Sequence, residues 1–270
     1  MTQRWRERRE SYRPAADERF EPARHEVQPI DELTAKGFVV QHHYSASYPA
    51  ARLRFGLFDV HGLVGAAVFS VPCQPRVVPR WLGVEAAAGV ELGRFVLLDD
   101  VRRNGESWFL GQCFQWMRTH RPDLQGVVSY ADPVERLTAE GRIVKPGHMG
   151  IIYQAHNGVF QGRGSARTLT LAPDGSVISQ RSLSKIRLGE RGAGYAYAQL
   201  MNHGVRPKQT SESWRGYVRT VLHDGSVRRF RHPGNFVYTW GLNKQVHRML
   251  RPLNQPYPKG PGALCGITAA

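Results

Sequence analysis

Three polar groupings interrupt apolar stretches of this sequence: Gln41-His42-His43-Tyr44, Ser129-Tyr130-Ala131-Asp132-Pro133, and Tyr153-Gln154 shortly after His148. An imidazole and a carboxylate brought together can act as acid and base, or can offer nitrogen and oxygen ligands to a metal ion. Each also has a plain structural reading, since an Asp before Pro caps a turn and a Tyr in an apolar run packs in a core. A fourth grouping, Arg102-Arg103-Asn104-Gly105-Glu106-Ser107, fits the R/Q-x-x-G-x-G/A pattern of loops that hold the pyrophosphate of acyl-CoA, with Ser107 in the last small position. The physical basis is the row of unpaired N–H groups at a helix N-terminus, which carries partial positive charge and holds phosphate oxygens where small residues allow close approach. A basic turn ahead of a helix is the plainer alternative.

Those groups need elements to position them. A short helix near Asp31 to Lys36 leads into FVVQHHYSASYPA, and LRFGLFDV and LVGAAVFSVP, joined by His61-Gly62, read as an antiparallel hairpin. Val90 to Leu98 is an apolar strand, and after the basic loop WFLGQCFQWMRTH has helical spacing of Trp108, Cys113, Trp116 and Met117. Gly126 to Pro133 and Gly150 to Gly162 read as further strands, so the three polar groupings are expected at strand ends. The implied fold class is α/β: a mixed, mostly antiparallel sheet with flanking helices over residues 31–164, preceded by a flexible arm over 1–30. From 165 to 270 the chain reads as a basic, β-hairpin-rich region, because LTLAPDGSVIS and VRTVLHDGSVRRFR each centre on Asp-Gly, with a short helix in GAGYAYAQLMNHG ended by Gly204.

The chain has 270 residues, 37 Lys and Arg against 22 Asp and Glu, and 41% hydrophobic residues, which excludes wholesale disorder. The longest apolar stretch, Gly56 to Val71, is broken by Asp59 and His61 and falls short of the roughly 20 residues of a membrane span. A charged start without an apolar segment, and an odd number of cysteines (Cys73, Cys113, Cys265) without a CxxC pair, predict a cytoplasmic chain with reduced thiols. The excess charge is segregated: residues 161–270 hold 17 basic and 4 acidic side chains. Arg181, Lys185, Arg187, Arg191, Arg215, Arg228, Arg229 and Arg231, interleaved with aromatics, are the candidate nucleic-acid contacts. Taken singly, each of those aromatics is better read as part of a small core.

Taken together, His43-Tyr44-Ser45, ELGRFVL (Glu91 to Leu97), SYADP (Ser129 to Pro133), GHMGIIYQA (Gly147 to Ala155) and RSLSKIR (Arg181 to Arg187) resemble the Mom family of bacteriophage adenine-modification proteins. The NFVYTWGL and QPYPKG segments are similar too, so the resemblance spans most of the chain. It implies a GNAT-type acyltransferase fold and conversion of adenine N6 in double-stranded DNA to a carbamoylmethyl form that protects the DNA from restriction. Carried over by position, the implied catalytic residues are His43, Tyr44, Asp132 and Tyr153, and His43 and Asp132 are the ligands implied for an iron ion.

The amine is conjugated into the ring and nucleophilically weak, so a base is required; Asp132 or His43 is assigned to it, with Tyr153 protonating the leaving group or holding the oxyanion. Tyr44 and Tyr130 are candidates to hold the extruded base. Acetyl-CoA supplies no nitrogen for the product's terminal amide, whereas a glycyl group does, which makes glycyl-tRNA the alternative donor and tRNA a second partner. Two rival readings stand beside this one: an N-acetyltransferase acting on a small amine or protein, and a non-catalytic nucleic-acid-binding protein.

Overall fold

The computed structural model describes residues 19–45, 47–145 and 147–259, with the backbone of 2–6 and 9–13; Cys265 lies outside the described residues. The chain begins with an antiparallel pair, β1 (Thr2–Arg6) and β2 (Arg9–Arg13), followed by β3 (Glu26–Pro29), α1 (Glu32–His42), β4 (Ala51–Asp59), β5 (Gly62–Ser70) and α2 (Val77–Leu82). Next come β6 (Gly89–Leu97), α3 (Gly105–His120), β7 (Gly126–Ala131), β8 (Arg136–Leu137), β9 (Ile143–Lys145), α4 (Ile151–Ala155) and β10 (Val159–Arg163). The remainder is β11 (Arg167–Leu171), β12 (Val177–Ile178), α5 (Gln180–Leu188), α6 (Ala193–Asn202), α7 (Trp214–Val221), β13 (Arg228–His232), β14 (Phe236–Gly241) and α8 (Lys244–Leu250).

These elements divide into two compact units, one of residues 1–131, 149–162 and 236–270, the other of 132–148 and 163–235. The first is built on a seven-stranded sheet in the order β10-β14-β7-β6-β5-β4-β3, mostly antiparallel, with β6 and β7 parallel. A parallel pair needs a crossover, and α3 supplies it. Its Phe109, Leu110, Cys113, Phe114 and Met117 pack on one sheet face against Leu92, Val127, Tyr238 and Trp240. On the other face α1 packs Ala35, Phe38 and Val39 against Ala66, Val68 and Val96. The second unit gathers α5, α6 and α7 around Leu183, Ile186, Leu200, Tyr217 and Val221, beside a three-stranded sheet in the order β12-β11-β13. Among the described residues no helix is long and apolar enough to cross a membrane.

The mixed, mostly antiparallel sheet with flanking helices is as expected; several elements differ. Residues 26–29 are not part of a loose arm but the edge strand of the sheet, paired with residues 55–58 of β4 through the backbone, which composition does not report. The expected division at 164 gives way to two interleaved units, because the wholly buried run Phe236 to Gly241 pairs along β7 and so belongs to the first. Residues 151–155 are helical rather than a strand, entered through Gly150 in the left-handed region at φ 74°. The second Asp-Gly segment is not a hairpin: Ser213 caps α7 by accepting from the Gly216 N–H, and Tyr217, Val218 and Val221 follow a helical period.

Candidate active site

The site in the first unit depends on one irregularity of β6. Val68 pairs with Arg94 and Phe69 with Leu92, so Gly93 is an extra residue, a β-bulge. A side chain at Gly93 would stand 2.5 Å from the Ser70 hydroxyl, which is why the bulge carries glycine. Strand residues alternate between faces, and one inserted residue reverses the alternation. Glu91 and Arg94, three apart, therefore share the face that α1 covers, while Leu92 and Leu97 turn to the α3 core. Here the sheet also opens. β6 and β7 pair only from Gly89/Gly126 to Glu91/Val128; beyond that the Ser129 hydroxyl, donating to Leu92 O at 3.1 Å, is a remaining link.

Arg94 donates from Nε to Ser47 O and from Nη2 to Ser47 Oγ, both at 2.8 Å. Ser47 Oγ donates to Ser45 Oγ, which lies 2.9 Å from His43 Nδ1, so the α1 C-terminus is tied to β6. Tyr44 stacks on His43 with centroids 4.2 Å apart. Burial pulls the Arg94 guanidinium below its usual value, opposed by Tyr44, Glu91 and Tyr153. Burial pushes the Glu91 carboxyl up, with Arg94 opposing. Tyr153 and Tyr130 are both raised by burial, the first with Ser129 as its hydrogen-bond partner and the second under the charge of Glu91, so both phenols keep their protons. The arrangement offers a carboxyl raised by burial, a fixed guanidinium and two phenol donors, the components of proton transfer to and from a developing oxyanion.

Of the residues assigned from sequence, Tyr44 and Tyr153 lie in this cluster. His43 lies at the C-terminus of α1 rather than at a strand end, its ring 6% exposed and its Nδ1 accepting the Ser45 N–H at 3.1 Å. Glu91 and Arg94 were missed; the signal was available, since two charges three apart in an apolar strand match no alternating pattern unless a bulge intervenes. The segment Arg102 to Ser107 does lead into α3, whose first residue is Gly105, yet its own chain packs on it while Arg103 and Asn104 stay exposed. Arg19 bridges Arg103, Arg102 pairs with Glu21 at 2.8 Å, and Phe20 lies on Trp108 at 5.1 Å and against the position a Gly105 side chain would take. Glu106 is buried.

Asp132 is held within the second unit. One carboxylate oxygen accepts from His232 Nε2 at 2.9 Å and from the Val134 N–H at 3.0 Å; the other lies 2.9 Å from Lys145 Nζ. His232 Nδ1 accepts the Gly234 N–H, which puts the ring proton on Nε2. Burial raises the Asp132 carboxyl, but the His232 and Lys145 hydrogen bonds and the Lys145 charge outweigh it and hold the group well below the usual carboxylate range, which weakens it as a proton acceptor. An ammonium and an imidazole N–H already take both Asp132 oxygens, a donor set that does not fit an iron ion there. Among the described residues no three His, Cys, Asp or Glu side chains group as metal ligands.

Burial, then the neighbouring Lys145 ammonium, push His148 down from 6.5 to about 4, against the pull of Asp132. Between these values the unfolded chain binds a proton that the folded chain refuses, so stability falls as pH drops through the window, by at most about 1.4 kcal/mol per unit. Thermal unfolding followed from pH 7 to 5 should show the midpoint falling, and His148→Gln should flatten that dependence.

The model of the Mom protein family matches residues 24–259, most of the chain. The chain belongs to the Mom protein family. It is 30% identical over 242 residues to the "Methylcarbamoylase mom" of Escherichia phage Mu, covering 86% of this chain and 83% of that protein. Among solved structures it is similar to a tandem GNAT protein from the clavulanic acid biosynthesis pathway, at 9% identity, covering 81% of this chain and 99% of the other, with a TM-score of 0.41.

The part of this Mom-family chain read as a nucleic-acid face sorts by charge pairing. Arg181 is bound to Glu190 at 2.6 Å, and Arg228 donates to Leu137 O; Arg187, Arg191, Arg215, Arg229 and Arg231 are exposed, and Lys185 is half-buried on α5. Most of the aromatics between them are structural, whereas Tyr195 is exposed and Trp214 partly so. Tyr217 is fully buried with its hydroxyl donating to Arg206 O, Trp214 stands edge-on to Tyr197 at 5.1 Å, and Phe236, Tyr238 and Trp240 belong to the first unit's core.

Proposed function

We propose that this chain transfers an acyl group to the exocyclic N6 of adenine in phage DNA in the bacterial cytoplasm, yielding the carbamoylmethyl base and shielding that DNA from restriction. The observation that carries the reading is the 30% identity over 86% of the chain to a phage protein whose name is methylcarbamoylase. The bulged β6, its parting from β7 and the helix that follows support an acyltransferase of GNAT type. In this reading Glu91 accepts the N6 proton as the new bond forms, and Arg94 steadies the carbonyl oxygen as it becomes negative. Tyr153 protonates the departing oxygen, and Tyr44 or Tyr130 stacks on the extruded adenine.

Glycine attached as an ester to the 3′ end of a tRNA accounts for the atoms. N6 attacks the ester carbonyl, the C–O bond to the ribose breaks, and that oxygen takes a proton. The glycyl amine then attacks ring C6, the C6–N6 bond breaks, and the former N6 becomes the terminal amide. The ion pair of Arg102 with Glu21 and the packing of Phe20 over Gly105 support a donor that does not use the CoA-type loop. Mass spectrometry of nucleosides from DNA of cells expressing the chain should reveal adenine heavier by a carbamoylmethyl group; unmodified DNA would refute the reading. Isotope-labelled glycine should appear in that base, and its absence from modified adenine would overturn the glycyl donor alone.

A further inference from the structure

The second unit holds a cleft of about 370 Å³ that the site around Glu91 does not use, lined by Arg187 at the end of α5 and by Arg215, Gly216, Arg219, Leu222 and His223 along α7 and the turn after it. Arg215 and Arg219, four residues apart, share one face of α7, and His223 follows them in the turn after it. All four basic side chains are exposed, and none of the ion pairs among the described residues involves Arg187, Arg215 or Arg219. Six of the seven acids of this unit are engaged elsewhere: Asp132 with Lys145, Glu140 with Arg142, Asp174 with His203, Glu190 with Arg181, and Glu212 and Asp224 with Arg206; the seventh, Glu135, is exposed and is not among the residues that line the cleft. Arg206 is thus neutralised twice, while its neighbours on α7 keep their full charge. The cleft concentrates positive potential, with no carboxylate in its lining.

We infer that this cleft grips the sugar-phosphate backbone of duplex DNA, with Arg187, Arg215 and Arg219 each meeting a phosphate and His223 beyond the helix end. The inference rests on the DNA-modification reading and names the part of the chain that holds the substrate. Length and chemistry select the ligand. From Arg215 to Arg219 the helix rises about 6 Å at 1.5 Å per residue, enough to meet neighbouring phosphates that rise about 3.4 Å each along one strand, with Arg187 across the cleft and His223 beyond the helix end adding contacts. A single small anion would need one or two of these groups. The lining contains no Phe, Tyr or Trp, and the nearby Trp214 is turned onto Tyr197 and Tyr217, so the cleft lacks the stacking platform that unpaired bases of RNA loops and ends require. Of the two nucleic acids in the proposed reaction, the duplex fits.

Each phosphate neutralised releases condensed counterions, so each arginine that makes such a contact adds about 0.9 to the slope of log affinity against log salt. The full chain is titrated with a fluorescent duplex of about 20 base pairs, long enough to cover the cleft, and in parallel with a deacylated tRNA, from 50 to 200 mM salt. Arg187→Ala, Arg215→Ala and Arg219→Ala place the best helix former at exposed positions, so the fold is retained; Arg142→Ala, an exposed arginine paired with Glu140, is the control. Each of the three variants is expected to lower the duplex slope by about 1, and the triple variant by about 3, with the control unchanged. A triple variant that keeps the wild-type duplex slope overturns the cleft, and so does one that loses tRNA binding while holding the duplex. Nucleoside analysis of the wild type separates the two levels: modified adenine with an unaltered slope in the variants removes the cleft and leaves the function, whereas arginine-dependent duplex binding with unmodified DNA leaves the cleft and removes the function.

Discussion

Glu91→Gln is expected to lower adenine modification by a factor of about 10² to 10⁴ while leaving the unfolding midpoint and duplex affinity close to wild type. The amide keeps the size and hydrogen-bonding reach of the carboxyl and removes only its capacity to take a proton. Two features single out this residue. It lies on the same face as Arg94 because Gly93 bulges the strand, and burial raises its carboxyl, which brings its proton affinity closer to that needed at neutral pH. Nucleoside mass spectrometry of DNA from cells expressing each form is the readout. Wild-type yield from Glu91→Gln would remove Glu91 from the chemistry; loss of yield with loss of folding would be met by Glu91→Asp, which restores the carboxylate and should recover part of the activity.

Asp132→Ala is expected to destabilise the protein by about 3–5 kcal/mol, because it strands the Lys145 ammonium, 2% exposed, without its counter-charge. Urea unfolding monitored by circular dichroism would measure it. Lys145→Met in the same chain should recover much of the loss, since removing both members of a buried pair is far milder than removing one. The rescue separates two explanations for an inactive Asp132→Ala protein. If stability returns and modification returns with it, Asp132 positions the chain; if the single variant unfolds like wild type yet yields no modified adenine, Asp132 acts on the substrate and is not a structural anchor. The ion pair also carries an acid dependence. Because the folded carboxyl titrates below its ordinary 3.8, its contribution is present above that value and is lost as pH falls through the folded value.

Much of the first unit was legible in the sequence. The hairpin of residues 51–70, the strand before the basic loop, the helix after it and the strand ending at Ala131 occur as their hydrophobic periods require. Helices were the weaker reading. The short helix expected near Asp31 to Lys36 runs on to His42, because Phe38 and Val39 are buried against the sheet, and propensity alone does not report that packing. Residues 214–221 were obscured by the Asp-Gly turn signal that follows them, although Ser213 and the spacing of Tyr217, Val218 and Val221 carried the helical pattern.

By itself the sequence determined the fold class, the segregation of positive charge toward residues 161–270 and the family motifs, because these are properties of residue type and order, which local periodicity and charge express directly. Which groups act together was decided by tertiary structure alone. A single inserted glycine turned Arg94 to the side of Glu91; an ammonium and an imidazole from strands 13 and 100 residues away claimed Asp132; and Phe20 closed over a loop some 80 residues downstream. Each outcome depends on long-range packing that brings charges within a few ångströms, where desolvation and Coulomb interaction set whether a carboxylate is a base or an anchor.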